Sequence, residues 1–73
     1  MKILGYNENH DLTCTEAKVI GFESKDNTLW FWDGTELFEI PMDKATAYEL
    51  TILAYEDGKI DLRHHGIIKT VED

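Results

Sequence analysis

Short runs of hydrophobic residues, separated by turn-forming residues, predict mostly β-structure along this chain. Residues 2–6 form the first run and predict a short strand, and the polar residues 7–11 after it predict a loop. Between residues 18 and 40, the turn signals Asp26-Asn27 and Asp33-Gly34 separate three apolar and aromatic runs. Asp-Gly is a strong hairpin signal because a type I′ turn needs positive φ at both central residues. We therefore expect three antiparallel strands joined by hairpins, which is a β-meander.

The spacing around these two turns predicts how the three strands pair. If each turn is a two-residue loop, Trp30 lies opposite Leu37 and Trp32 lies opposite both Thr35 and Gly21. Side chains opposite one another share a face of the sheet. One face then collects the predicted core residues, which are Ile20, Phe22, Leu29, Phe31, Phe38 and Ile40. The opposite face carries Val19, Gly21, Trp30, Trp32 and Leu37 together with Glu23, Thr35 and Glu39, and it is too apolar to contact only water.

The segment 43–56 fits two interpretations. As a helix it has Asp43 as its N-cap and Gly58 just beyond its end, although its apolar residues form two stripes. As a strand it alternates apolar and polar residues over 48–52, and Asp57-Gly58 becomes a third hairpin turn. The caps favour the helix.

The remaining runs, 59–63 and 67–71, predict two further short strands with a turn at 64–66. We therefore expect a single domain over residues 1–73 with an α+β fold: a small twisted antiparallel sheet of four to six strands, with one helix near residues 43–56. A small all-β barrel is the alternative, and it follows if the segment is a strand.

The charge of the chain bears on its partners. Fifteen Asp and Glu residues against seven Lys and Arg residues give a formal net charge of −8. Such a field repels phosphate backbones, so direct binding to DNA or RNA is disfavoured. The same field attracts a basic protein surface and speeds its encounter with the chain.

The cysteine content and the hydropathy indicate a compartment. Cys14 is the single cysteine, whereas a secreted domain of this size usually contains several disulfides. The first residues lack the long apolar run of a signal peptide, and the charged segment 43–56 is unsuited to crossing a bilayer. We therefore expect a cytoplasmic protein that does not insert into membranes.

Candidate chemistry is sparse. His10, Cys14, His64 and His65 supply enough nitrogen and sulfur for a zinc site, but they lack the paired ligand spacing of structural zinc sites. Cys14 and Ser24 are candidate nucleophiles, yet neither lies in a strand-turn-helix elbow or a glycine-rich loop. We expect no catalytic residues, no metal and no cofactor.

The two tryptophans on the non-core face are the most informative feature for function. Either the helix or the other strands cover this face as a second half of the core, or it is exposed and binds a protein partner. A homodimer would satisfy both interpretations. The leading hypothesis is a non-catalytic interaction module, acting as a small acidic inhibitor or accessory protein, that docks through Trp30, Trp32 and Leu37 with Glu23 and Glu39 at the rim.

Two other classes of function are alternatives. One is an inhibitor that mimics nucleic acid and occupies the basic groove of a DNA- or RNA-binding protein. The other is a small metal-binding sensor or enzyme that uses the histidines and the cysteine.

Overall fold

The computed structural model describes residues 1–72, which form seven β-strands and one α-helix. In chain order the elements are β1 Lys2–Tyr6, β2 Leu12–Glu16, β3 Val19–Glu23, β4 Thr28–Trp32, β5 Leu37–Pro41, α1 Lys44–Asp57, β6 Lys59–Asp61 and β7 Lys69–Thr70. The fold is α+β, as predicted, and the all-β alternative is wrong because the uncertain segment is helical.

Strands β3, β4, β5 and β7 form a four-stranded antiparallel sheet in that order, and its first three strands are the predicted meander. The pairing differs in detail, because Phe31 lies opposite Phe38 and Trp30 lies opposite Gly21 and Glu39. Each connection therefore contains four residues, 24–27 and 33–36, where two-residue loops were predicted. Since each pairing moves by two residues, the strand side chains stay on their predicted faces, but Thr35, which was predicted on the non-core face opposite Trp32, lies in the 33–36 loop.

A side chain explains why the second loop is longer than expected. The carboxylate of Asp33 accepts hydrogen bonds from the N–H groups of Thr35 and Glu36 at 2.8 and 2.7 Å. The Asp33 N–H in turn donates to the carbonyl of Glu36 at 3.2 Å. Gly34 takes a positive φ of 105°, but Asp33 does not share it, so the two-residue type I′ geometry is absent.

A second sheet contains β2, β1 and β6 in that order. Strand β1 was predicted correctly, and it pairs antiparallel with β2 and parallel with β6. Strand β2 was not predicted; within it Thr13 and Thr15 are half-buried and alternate with exposed residues. The expected strands 59–63 and 67–71 are shorter in the structure, and a parallel bridge between Tyr6 and Ile67 links the second sheet to the segment that leads into β7.

Both predicted helix caps are confirmed. The Asp43 carboxylate accepts the Thr46 N–H at 3.3 Å, and Gly58 adopts the left-handed conformation with φ of 71°. The Gly58 N–H donates to the Ala54 carbonyl at 2.7 Å, which satisfies a carbonyl in the last turn. No helix within residues 1–72 is long and apolar enough to cross a membrane.

One hydrophobic core joins both sheets and the helix. Its buried members are Ile3, Ala17, Leu29, Phe31, Ile40, Ala47, Ala54, Ile60, Leu62 and Ile68. The rings of Phe31 and Phe38 stack with centroids 5.2 Å apart. Three other predicted core residues, Ile20, Phe22 and Phe38, are half-buried at its margin. The core therefore lies on the predicted face of the meander, and the opposite face lies outside it.

Candidate protein-binding surface

The outer face is the side of the four-stranded sheet that points away from the core. Strand alternation and pairing place eleven residues on it: Val19, Gly21, Glu23, Thr28, Trp30, Trp32, Leu37, Glu39, Pro41, Lys69 and Val71. The first nine lie on β3, β4 and β5, and the five predicted site residues are among them. The last two lie on or beside β7.

No described element covers the outer face. Helix α1 instead packs on the core side, where it buries Ala47 and Ala54. Val19 is 46% exposed, Trp32 is 39% exposed and Leu37 is 37% exposed. Of the two interpretations of this face, the structure has the exposed one. Large exposed apolar side chains gathered on one face are typical of an interaction surface.

Trp30 is held more firmly than Trp32. A Cβ atom placed on Gly21 would lie 2.3 Å from Cζ2 of Trp30, so the indole ring lies directly against the glycine backbone of the neighbouring strand. Gly21 was expected opposite Trp32, but the observed pairing brings it opposite Trp30. Trp30 is therefore half-buried and packed against β3, while Trp32 projects further into solvent.

A groove of about 380 Å³ lies on the outer face. Trp30, Leu37 and Val71 supply its apolar surface, and the acidic residues Glu23, Glu39 and Asp26 also border it. Sequence reasoning missed two of these residues. Asp26 was assigned only a turn-forming role, and Val71 reaches the groove because its N–H donates to the Leu37 carbonyl, a pairing that no local pattern reveals.

The carboxylates of the groove are free of ion pairs within residues 1–72, where the two salt bridges join Met1 to Glu16 and Asp61 to Arg63. Glu23 accepts one backbone N–H, from Lys25, at 2.9 Å. The groove therefore combines an aromatic surface with unpaired negative charge. A guanidinium or ammonium group contacts both favourably, through charge pairing and through cation–π attraction to the indole.

The candidate metal ligands do not form a cluster. His10 lies in the β1–β2 loop with φ of 62°, and Cys14 is exposed in β2. His64 and His65 lie in the turn that follows Leu62. In the described part of the chain, no three His, Cys, Asp or Glu side chains are placed to hold a metal ion. Ser24, the other candidate nucleophile, is exposed in the 24–27 loop.

The carboxyl groups with lowered pKa values have structural partners. The N-terminal ammonium hydrogen-bonds Glu16 and lowers its pKa, while the N–H groups of Glu36 and Thr35 lower the pKa of Asp33. The hydroxyl and N–H of Thr46 lower the pKa of Asp43. The guanidinium of Arg63 lowers the pKa of Asp61 strongly through a bidentate ion pair. Ion pairing, a turn and a helix cap explain these shifts without a catalytic role.

Comparisons with protein-family models, with curated proteins and with solved structures found no match for this chain. Its function is therefore inferred from the chemistry of its own surface.

Proposed function

We propose that this protein is a non-catalytic interaction module that binds a protein partner with a basic surface through the outer face, as an inhibitor or accessory subunit. The supporting observation is that a sheet face with two tryptophans stays uncovered although a helix was available to cover it. Tryptophan is enriched among the residues that dominate binding energy at interfaces. The single exposed cysteine is compatible with the reducing cytoplasm, which is the compartment we propose.

The outer face is suited to binding because its anchors are pre-organised. Trp30 is pressed against Gly21, and the strand beneath it is paired on both sides. Binding therefore orders few side chains, which lowers its entropic cost. Trp32, Leu37 and Val19 supply apolar area that a partner removes from water, at about 25 cal/mol per Å² of buried apolar surface.

The charge of the chain favours a basic partner over a neutral one. Glu23, Asp26 and Glu39 lie beside the apolar groove, and the whole chain carries a net charge of −8. These charges steer a positive surface toward the outer face and fix its orientation, but salt screens them over about 8–10 Å. The apolar contacts should therefore carry the affinity that remains at high salt.

The proposal is tested with two matched double variants. Trp32→Ser with Leu37→Ser removes exposed apolar side chains from the outer face, whereas Leu53→Ser with Tyr55→Ser removes exposed apolar side chains from the helix. A basic partner isolated from native cell extract is purified, and its affinity for each chain is measured by calorimetry. We expect the outer-face variant to bind at least about tenfold more weakly, which is about 1.4 kcal/mol, and the helix variant to bind like the parent.

Three other results would contradict this proposal. Equal affinity for all three chains would place the binding site elsewhere. Affinity that collapses with salt and ignores the serine substitutions would indicate the nucleic-acid mimic, whose binding depends on carboxylates. A mass of two chains in light scattering, reduced to one by the outer-face substitutions, would show that a second copy covers this face.

A further inference from the structure

Strand β3 has one edge that no described strand pairs with. It is the first strand of the four-stranded sheet, and its neighbour there is β4. An unpaired edge presents a row of N–H and C=O groups to which an extended chain can bind. The alternation of hydrogen bonds in antiparallel strands determines which residues of β3 direct these groups outward.

Two hydrogen bonds determine this alternation. Met42 donates its N–H to Asn27 and Asp33 donates its N–H to Glu36, so odd-numbered residues of β4 direct their backbone groups toward β5. The even-numbered residues Thr28, Trp30 and Trp32 therefore bond to β3. Their partners are Glu23, Gly21 and Val19, which leaves the backbone groups of Ile20 and Phe22 directed outward.

An apolar cleft lies beside this free edge, between β3 and α1. Its volume is about 160 Å³, close to that of a cavity that accommodates benzene, about 150 Å³. Phe22 lines it from the strand, and Lys44, Ala47, Tyr48 and Thr51 line it from the helix. Because Ile20 and Phe22 point toward the core side, residues added opposite them would direct their side chains into or beside this cleft.

We propose that β3 binds an extended segment of the protein partner by strand addition, and that this segment alternates apolar residues with Lys or Arg. The inference rests on the proposed function and names the chemistry of the partner. Its apolar residues pair with Ile20 and Phe22 and fill the β3–α1 cleft. Its basic residues lie on the outer face, over Gly21 and the Trp30 ring and beside Glu23.

Charge complementarity favours a basic segment over a second copy of this chain. Two copies joined at this edge would bring together two net charges of −8. A Lys or Arg residue opposite Glu23 or Gly21 instead gains an ion pair or a cation–π contact. Pairing with β3 also satisfies the two residues whose backbone groups have no partner among the described hydrogen bonds.

The test uses the peptide acetyl-KLKLK-amide as the probe, because its leucines match Ile20 and Phe22. The control peptide is N-methylated on both leucines, which keeps its charge and apolar side chains but removes the N–H groups that would bond to β3. We expect the unmodified peptide to bind at least about tenfold more tightly. It should also shift the amide resonances of Ile20 and Phe22 and slow their hydrogen exchange.

Protein variants distinguish binding at the β3 edge from attraction by charge. Ile20→Pro removes an outward N–H from β3, and Leu12→Pro does the same on the exposed edge strand β2 as the matched control. Thr51→Leu narrows the cleft without altering β3, so a result remains even if Ile20→Pro fails to fold. We expect weaker peptide binding in Ile20→Pro and Thr51→Leu and parent-like binding in Leu12→Pro.

Three other outcomes would overturn strand addition, and the last of them would leave the proposed function intact. Equal binding of both peptides would show attraction by charge alone. A dimer that dissociates in Ile20→Pro would mean that a second copy occupies the edge. If a basic partner still requires Trp32 and Leu37 while the peptide ignores β3, the proposed function stands and strand addition fails.

Discussion

Gly5 and Gly21 both allow another side chain to approach the backbone closely, but in different surroundings. A Cβ on Gly5 would lie 2.5 Å from Cδ1 of Ile68 and 3.4 Å from Cβ of Leu62, inside the core. A Cβ on Gly21 would collide with the ring of Trp30, which borders solvent and can turn away. The same substitution therefore has different consequences at the two positions.

Gly5→Ala is expected to lower the free energy of unfolding by about 1–3 kcal/mol, because Ile68 has little room to move in a packed core. Gly21→Ala should cost less, since the indole can swing outward. Urea denaturation of the two variants checks the difference. Equal losses would mean that Trp30 is held as rigidly as a core residue.

Gly21→Ala should instead change the environment of Trp30. In a Trp32→Phe background, where Trp30 is the sole tryptophan, we expect its fluorescence emission to move to longer wavelength as the ring becomes more exposed. The Leu53→Ala variant of the same background is the control, because Leu53 is exposed on α1, which packs on the other side of the sheet. An unshifted spectrum would indicate that the ring does not depend on Gly21.

At the scale of the elements, helix α1 is weakly supported by its own sequence and depends on its caps. One of its two apolar stripes is buried at Ala47 and Ala54. The other stripe, with Tyr48, Ile52 and Tyr55, is exposed. Ala47, Ala54 and the half-buried Leu50 attach the helix to the core. Local hydrogen bonds at Asp43 and Gly58 then matter more than in a strongly amphipathic helix.

Asp43→Ala is expected to lower the melting temperature by a few degrees, because the N–H of Thr46 loses its partner. Asp43→Asn keeps an acceptor oxygen and should stay close to the parent chain. Thermal unfolding followed by circular dichroism measures both. A melting temperature lowered as much in the asparagine variant as in the alanine variant would show that charge, and not the hydrogen bond, supports this helix end.

Phe31 is the central side chain of the meander and is fully buried. Phe31→Ala should cost about 3–5 kcal/mol, because it leaves a cavity and removes the stacked partner of Phe38. The exposed control Leu53→Ala should change stability by less than about 0.5 kcal/mol. Urea titration measures the free energy of unfolding of both variants, and equally small losses would contradict a central position of Phe31 in the core.

At the scale of the whole molecule, acid should destabilise the fold. The pKa values of Glu16, Asp33, Asp43 and Asp61 lie below the ordinary values of 4.5 for Glu and 3.8 for Asp. Near these ordinary values the unfolded chain binds more protons than the folded chain, so stability falls as the pH decreases. The stabilisation is complete above the ordinary values and is lost as the pH falls through the lower folded-state values.

Urea titrations between about pH 6 and about pH 2.5 measure this loss, with salt added to screen repulsion among the carboxylates. Asp61→Asn removes the carboxyl group whose pKa is lowered most and should flatten the decline. Stability that rises on acidification would mean that the relief of the negative charge outweighs these hydrogen bonds and ion pairs.

The sequence determined the features that arise from neighbours along the chain. Alternation assigned Phe31 to the core face and Trp30 to the outer face, and this assignment survived an incorrect loop length because each pairing moved by an even number of residues. The caps of α1 were also predicted from the sequence, since a cap needs only residues within one turn of the helix end.

Contacts between distant parts of the chain were decided by the tertiary structure. Strand β2 gains its pairing from β1, Val71 joins the groove through β5, and the free edge of β3 lies beside α1. No periodicity in the sequence records which element will cover a given face, because burial depends on where distant elements meet. The absence of any described element over the two tryptophans, on which the proposed function rests, was therefore decided only by the folded chain.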